Sequence, residues 1–105
     1  MAQFDVYINP QAGSRPFVPY LVDIQSSLID QLTTRLVVPL SRMGSGAEKL
    51  PRRLTPLFEI DGEAVAFLPH QAAPVQVRLL KNPIMSLHSR ANEMTSALDA
   101  VVSGV

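Results

Sequence analysis

Residues able to do chemistry are sparse in this chain, and their spacing limits what they can do. The two histidines, His70 and His88, stand eighteen residues apart. Neither has the neighbouring ligands at close spacing that a structural zinc site requires. There is no cysteine, so disulfides and cysteine-ligated metals are excluded. Gly44-Ser45-Gly46 followed by Lys49 lacks the Gly-Lys-Ser/Thr that opens a helix in a phosphate-binding loop, so it reads as a flexible loop. No Gly-x-Ser-x-Gly elbow occurs, which leaves a serine hydrolase unsupported. His88 lies beside Leu87 on the flank of an apolar helical stripe, a boundary position, and His70 follows Pro69 in a loop. A lone loop histidine carries little weight toward acid–base work. These residues give no reason to expect a catalytic group, a metal or a cofactor.

Positive charge is better organised. Arg42, Lys49, Arg52 and Arg53 share one stretch with only Glu48 as local counter-charge, in a chain whose formal net charge is zero. Beyond an ordinary solvated loop, such a cluster is suited to an acidic segment of a partner protein. The overall neutrality argues against a large nucleic-acid footprint, which needs a clear basic excess. The sequence therefore points to binding rather than catalysis.

The elements that must position these residues are legible in the periodicity. At 105 residues, 47% hydrophobic and 17% charged, the chain is one globular domain spanning 1–105. Nine prolines favour turns and sheet edges over a helical bundle. Phe4, Val6 and Ile8 alternate with Asp5, Tyr7 and Asn9, predicting a half-buried strand. A proline-rich loop from Asn9 to Pro19 leads to a strand at Tyr20–Gln25, and 26–34 reads as a turn or bulge. The run Leu36-Val37-Val38-Pro39-Leu40 is a further strand, its proline suggesting an edge or a strand end. Asp61-Gly62 between Leu57–Ile60 and Glu63–Phe67 predicts a type I′ hairpin, and Val75, Val77 and Leu79 predict another strand.

Ile84, Leu87, Ala91, Met94, Leu98 and Val101 recur at steps of three and four, predicting a helix with one apolar stripe packed on the sheet. Asn82 suits its N-cap, Pro83 its first position and Gly104 its C-terminal end. Ser103, Gly104 and Val105 then form an exposed tip. No signal-like N-terminus and no run of eighteen apolar residues occurs, so a cytoplasmic protein with no membrane span is the expectation. The whole reads as a small, mainly β domain with a terminal helix.

Val22-Asp23-Ile24-Gln25-Ser26, then Leu28-Ile29-Asp30, then Arg35-Leu36-Val37-Val38-Pro39-Leu40 resembles the CcdB family of bacterial toxins. The second half agrees: Leu54-Thr55-Pro56 precedes a strand, and the terminal helix carries Leu87, Arg90, Asn92, Ala97 and Leu98 before closing on Gly104-Val105. The likeness covers almost the whole chain. It implies the CcdB/MazF-like toxin fold: an SH3-like antiparallel barrel of about five strands plus a small hairpin, with a long C-terminal helix. It also implies a homodimer that binds the DNA gyrase A subunit and traps the enzyme with its DNA cleaved. The protein would then be no enzyme, would make no nucleic-acid contact of its own, and would be neutralised by a CcdA-like antitoxin. By position, the gyrase contacts would be Leu28, Ile29, Asp30, Asn92, Asp99, Val102, Ser103, Gly104 and Val105. The antitoxin's acidic tail would meet Arg15, Arg42, Lys49, Arg52 and Arg53.

One departure is visible. The best-known members of the family carry a tryptophan just before the final glycine, where this chain has Ser103, and Val102 stands in place of a larger aromatic. Tryptophan buries about 150–250 Å² and is a frequent hot spot, and serine supplies almost none of that. Two other readings stay open. The related MazF/Kid toxins share the fold and cut RNA, for which Arg15 and His70 are the candidate groups. A chain that binds antitoxin with lost or altered gyrase poisoning is the other.

Overall fold

The computed structural model describes residues 2–26, 31–43 and 49–104. Along the chain these form β1 (Asp5–Ile8), β2 (Tyr20–Asp23), β3 (Thr34–Arg42), β4 (Leu57–Ile60), β5 (Glu63–Phe67), β6 (Ala73–Gln76), β7 (Met85–Ser86) and α1 (Ala91–Ser103). Every strand pairing is antiparallel, in the order β4-β5-β3-β2-β1-β7, with β6 also on β3. The result is a curled half-barrel carrying one helix.

β3 organises the sheet. Along one edge Val37–Leu40 pairs with Tyr20–Asp23. The other edge is divided, with Thr34–Val37 against β6 and Leu40–Arg42 against β5. Changing partners midway along a strand is what lets the sheet curl. Pro39 sits at the changeover. A residue's N–H and C=O point to the same edge of a strand, and the Pro39 carbonyl accepts the Leu68 N–H at 3.2 Å. The missing proline donor therefore faces the junction between β5 and β6. The expectation that this proline marks an edge or a strand end is thus corrected: β3 is central, and its proline occupies a place where no ladder bond is lost.

The hairpin forms as the sequence predicts. Ile60 pairs with Glu63 across Asp61-Gly62, whose φ angles of 57° and 80° are both positive, as a type I′ turn requires. β1 departs from expectation. Phe4 and Val6 are buried, but so are Tyr7 and Asn9, and Ile8 is exposed. The strand is covered on both faces because the sheet carries two apolar clusters. Phe4, Val6, Val22, Val38, Leu40, Phe58 and Phe67 pack under the helix on one side. Tyr7, Leu21, Val37 and Leu80 gather on the other.

The second side also holds a closed polar network. Arg35 and Asp23 are 1% and 0% exposed, and the Arg35 Nε donates to Asp23 Oδ2 at 2.8 Å. The Gln25 N–H donates to Asp23 Oδ1, an Arg35 Nη donates to the Gln25 carbonyl, and the Leu36 N–H donates to Gln25 Oε1. Two strands are thereby locked in one register by fully paired charges. Burial, aided by Asp5 and Asp23 and opposed by Arg35, pushes the Tyr7 phenol above its ordinary range, so it stays neutral.

The helix differs from its predicted bounds. Asn82 and Pro83 do not start it; α1 begins at Ala91, after a 3-10 turn at His88–Arg90. The β1 edge captures the preceding residues: the Ile84 N–H donates to Val6 and the Leu87 N–H to Phe4. Ser86 Oγ then accepts the His88 N–H two residues on, a local turn that leads into the 3-10 turn. The predicted strand at Val75–Leu79 also moves. β6 runs Ala73–Gln76, and the 3-10 turn Val77–Leu79 follows once the Val77 N–H has bonded Thr33.

Replacing Asp23 by Ala leaves a buried guanidinium unpaired and is expected to cost about 3–5 kcal/mol of stability. The double variant Asp23→Leu/Arg35→Met removes both charges at similar bulk and is expected to recover most of that loss. Equilibrium urea unfolding of both variants measures the difference. Equal losses would mean that the two residues act through packing alone.

Candidate functional site

α1 presents two opposite faces. Met94, Ala97 and Ala100 are buried, with Leu98 partly buried against the same core. The predicted stripe is thus rotated toward the two alanines, and Val101 is 40% exposed rather than core. Ala97 and Ala100 form the buried side, α1 runs beside the Pro69–Gln71 turn, and the helical period leaves Val101 on the outer side. Asn92 and Asp99 lie on the exposed face seven residues apart, two helical turns.

The exposed face ends in an apolar ridge. Val101 and Val102 stand there, and Val102 is the more exposed at 86%. The Ser103 hydroxyl turns back to the Asp99 carbonyl at 2.6 Å. Gly104 closes the helix in the left-handed region, φ 75°, with its N–H on the Ala100 carbonyl. A serine whose hydroxyl is engaged by its own helix offers a partner little, so Val102 is the dominant side chain of the tip. Leu28, Ile29, Asp30 and Val105 lie outside the described residues.

The cations named from sequence separate into groups. Arg42 lies on β3, where its Nε donates to Glu63 at 2.7 Å and its Nη1 to the Pro16 carbonyl at 2.6 Å. Arg15 donates to the Asn9 carbonyl and, through its own carbonyl, meets Arg42. These two arginines tie the proline-rich loop to the sheet. Lys49 is exposed. Arg52 and Arg53 stand elsewhere, at a cavity of about 540 Å³ with Pro56, Leu57, Arg90 and Asn92.

Arg90 completes that cavity, although charge runs in the sequence did not single it out. Its guanidinium grips the Glu93 carboxylate with two bonds of 2.7 and 2.6 Å and lies 4.6 Å over the Phe58 ring. The spacing of three between Arg90 and Glu93 is a sequence signal for the ion pair. Nearness to Arg52 and Arg53 is not, because β4 and the α1 start meet only in the fold. The hydrogen bond from Arg90 holds the Glu93 carboxyl below its usual range. A carboxyl depressed in the folded state stabilises above its unfolded pKa, and that gain is lost as pH falls through the folded value. Both side chains are more than 40% exposed, so water screens the pair and the gain is small.

Among the described residues, no hydrogen bond joins the acid–base candidates, His70 and Arg15. His70 lies in the 3-10 turn Pro69–Gln71, and Arg15 is engaged with Asn9. The groove of about 680 Å³ on the second sheet face is lined by Asn9, Leu21, Val37 and Gln71, but by neither Arg15 nor His70. His88 is exposed, its ring 6.0 Å from that of Phe4. Among the described residues, no three His, Cys, Asp or Glu side chains converge, and no helix is long and apolar enough to cross a membrane.

Compared with known families, the chain matches the model described as CcdB protein over residues 3–104, nearly its whole length.

The two faces of α1 make opposite demands on stability. Ala97→Leu overpacks a buried contact and is expected to cost about 1–3 kcal/mol. Val102→Gln at the exposed tip is expected to change stability by no more than about 0.5 kcal/mol. Thermal melting of the two variants checks this; comparable losses would mean that the tip is packed in solution.

Proposed function

The chain belongs to the CcdB family, and from that membership we propose that it is the toxin of a type II toxin–antitoxin module that grips the DNA gyrase A subunit and traps the gyrase–DNA cleavage complex. A CcdA-like antitoxin neutralises it, and it works in the cytoplasm, where gyrase and DNA are. It acts by binding, with no catalytic group and no cofactor. A ligand of this kind shifts an enzyme's population only by preferring one state, so the toxin must bind the cleaved complex more tightly than resting gyrase.

The observation that carries this reading is the tip of α1. Val102 stands 86% exposed beside Val101, at the end of a helix whose opposite face is anchored in the core. A rigid helix presenting apolar groups to solvent is suited to a partner's groove. Asn92 and Asp99 extend the same surface with polar contacts. Val102, Ser103 and Gly104 are exposed, so ending the chain before Val102 should leave the fold in place while trapping of cleaved DNA is lost. Ser103→Trp adds an aromatic anchor that a fitting pocket would reward with about 2 kcal/mol, roughly thirtyfold in affinity. The assay is DNA cleavage by purified gyrase with each variant, beside an RNA-cleavage control. RNA cut by the unaltered protein with no trapped gyrase would overturn the proposal in favour of a ribonuclease.

The working species is a homodimer. Exposed apolar side chains away from the α1 tip, among them Ile8 and Phe17, give a second copy surface to cover, and specific interfaces remove roughly 1,200–2,000 Å² in total. Sedimentation equilibrium at micromolar concentration is expected to give twice the 11.5 kDa chain mass. A monomer under those conditions rules the dimer out.

A further inference from the structure

The cavity between the Arg52–Arg53 turn and the start of α1 has features that a solvated basic loop lacks. Its three guanidinium groups, from Arg52, Arg53 and Arg90, face the single carboxylate of Glu93, a local excess of two positive charges in a chain of zero net charge. Buried Pro56 and half-buried Leu57 supply an apolar part of the same lining. Two of the cations, Arg52 and Arg90, are also positioned. Arg52 donates to the carbonyl of fully buried Thr55, and the Thr55 hydroxyl and N–H bond back to Pro51. Arg90 is fixed by Phe58, by the Leu57 carbonyl and by Glu93. Among the described residues, neither Arg52 nor Arg53 forms an ion pair. Arginine held in place with free donors recognises carboxylates in a fixed geometry and loses little entropy in doing so.

We propose that this cavity is the receptor for an acidic side chain flanked by an apolar one in an extended segment of the neutralising partner protein. The carboxylate pairs with Arg52 and Arg53, and the apolar neighbour covers Pro56 and Leu57. This rests on the reading that the chain has an antitoxin, and it assigns the contact to one cavity rather than to the whole basic stretch. Arg15 and Arg42 are excluded from it, since their guanidinium groups already hold Asn9, Pro16 and Glu63. A peptide is favoured over a nucleic acid because the lining is partly apolar and the chain as a whole carries no net positive charge. Glu93 acts as an internal competitor that occupies Arg90 and weakens any acidic ligand.

The test is fluorescence anisotropy with a short fluorescein-labelled peptide of Glu and Asp interspersed with Leu, against its Gln/Asn counterpart and a short single-stranded DNA. The acidic peptide alone is expected to bind, with affinity falling as salt rises. Arg53→Gln and Arg52→Gln are each expected to weaken it about tenfold, while Glu93→Gln tightens it several-fold by removing the competing carboxylate. Melting curves confirm that each variant is folded. Amide shifts in the unaltered protein, titrated with the same peptide, should centre on Arg52–Leu57 and Asn92–Ser96. Unchanged affinity in the arginine variants, shifts centred elsewhere, or binding of DNA in preference to the peptide overturns the proposal. The titration uses neither gyrase nor antitoxin. A chain that binds the peptide but traps no gyrase refutes the poison reading and leaves this cavity standing.

Discussion

The architecture depends on one buried charge pair. Asp23 ends β2 and Arg35 lies near the start of β3, and both are removed from water on the sheet face away from the helix. Two isolated charges in that position would be prohibitive, so the network through Gln25 and the backbone of Leu36 must close completely. A strand slip of one residue would move every side chain to the opposite face and strand both charges. The pair therefore fixes the register of the two strands on which the rest of the sheet is assembled.

From that register the rest follows by side-chain alternation. With Asp23, Leu21, Arg35 and Val37 on one face, Val22, Val38 and Leu40 must point to the other, where they meet Phe58, Phe67 and Met94. β3 can serve β5 and β6 in succession because Pro39, the residue without a donor, falls at the changeover. The helix docks through Met94, Ala97 and Ala100 beside the Pro69–Gln71 turn, and the helical period leaves Val101 and Val102 facing outward.

Charge is distributed in the same economical way. Arg35 holds the interior, and Arg42 and Arg15 hold the proline-rich loop against the sheet. Arg90 is stacked on Phe58 and paired with Glu93. The basic stretch of the sequence therefore divides into Arg42, tied to the sheet and the proline-rich loop, exposed Lys49, and a pair, Arg52 and Arg53, that line a cavity. Neutrality of the whole chain conceals this local excess.

Sequence alone determined what local chemistry controls. The Asp61-Gly62 turn was legible because its positive φ angles suit few other dipeptides, and Gly104 was legible as a helix end for the same reason. The apolar content of Tyr20–Gln25, the hairpin flanks and the VDIQS and VVPL segments were enough to indicate the fold and the family. Tertiary structure decided whatever depends on a distant partner. The β1 edge took residues 84–87 from the predicted helix, because pairing with Val6 and Phe4 outweighs a helical period that is equally satisfied on paper. A second apolar cluster buried Tyr7, and hydrogen bonds to Ser14 and Val18 of the proline-rich loop drew in Asn9, both of which alternation had assigned to solvent. Arg90 joined Arg52 and Arg53 although nearly forty residues separate them. Periodicity reports which face of an element is apolar; only the packed chain determines what lies against that face and which charges are already paired.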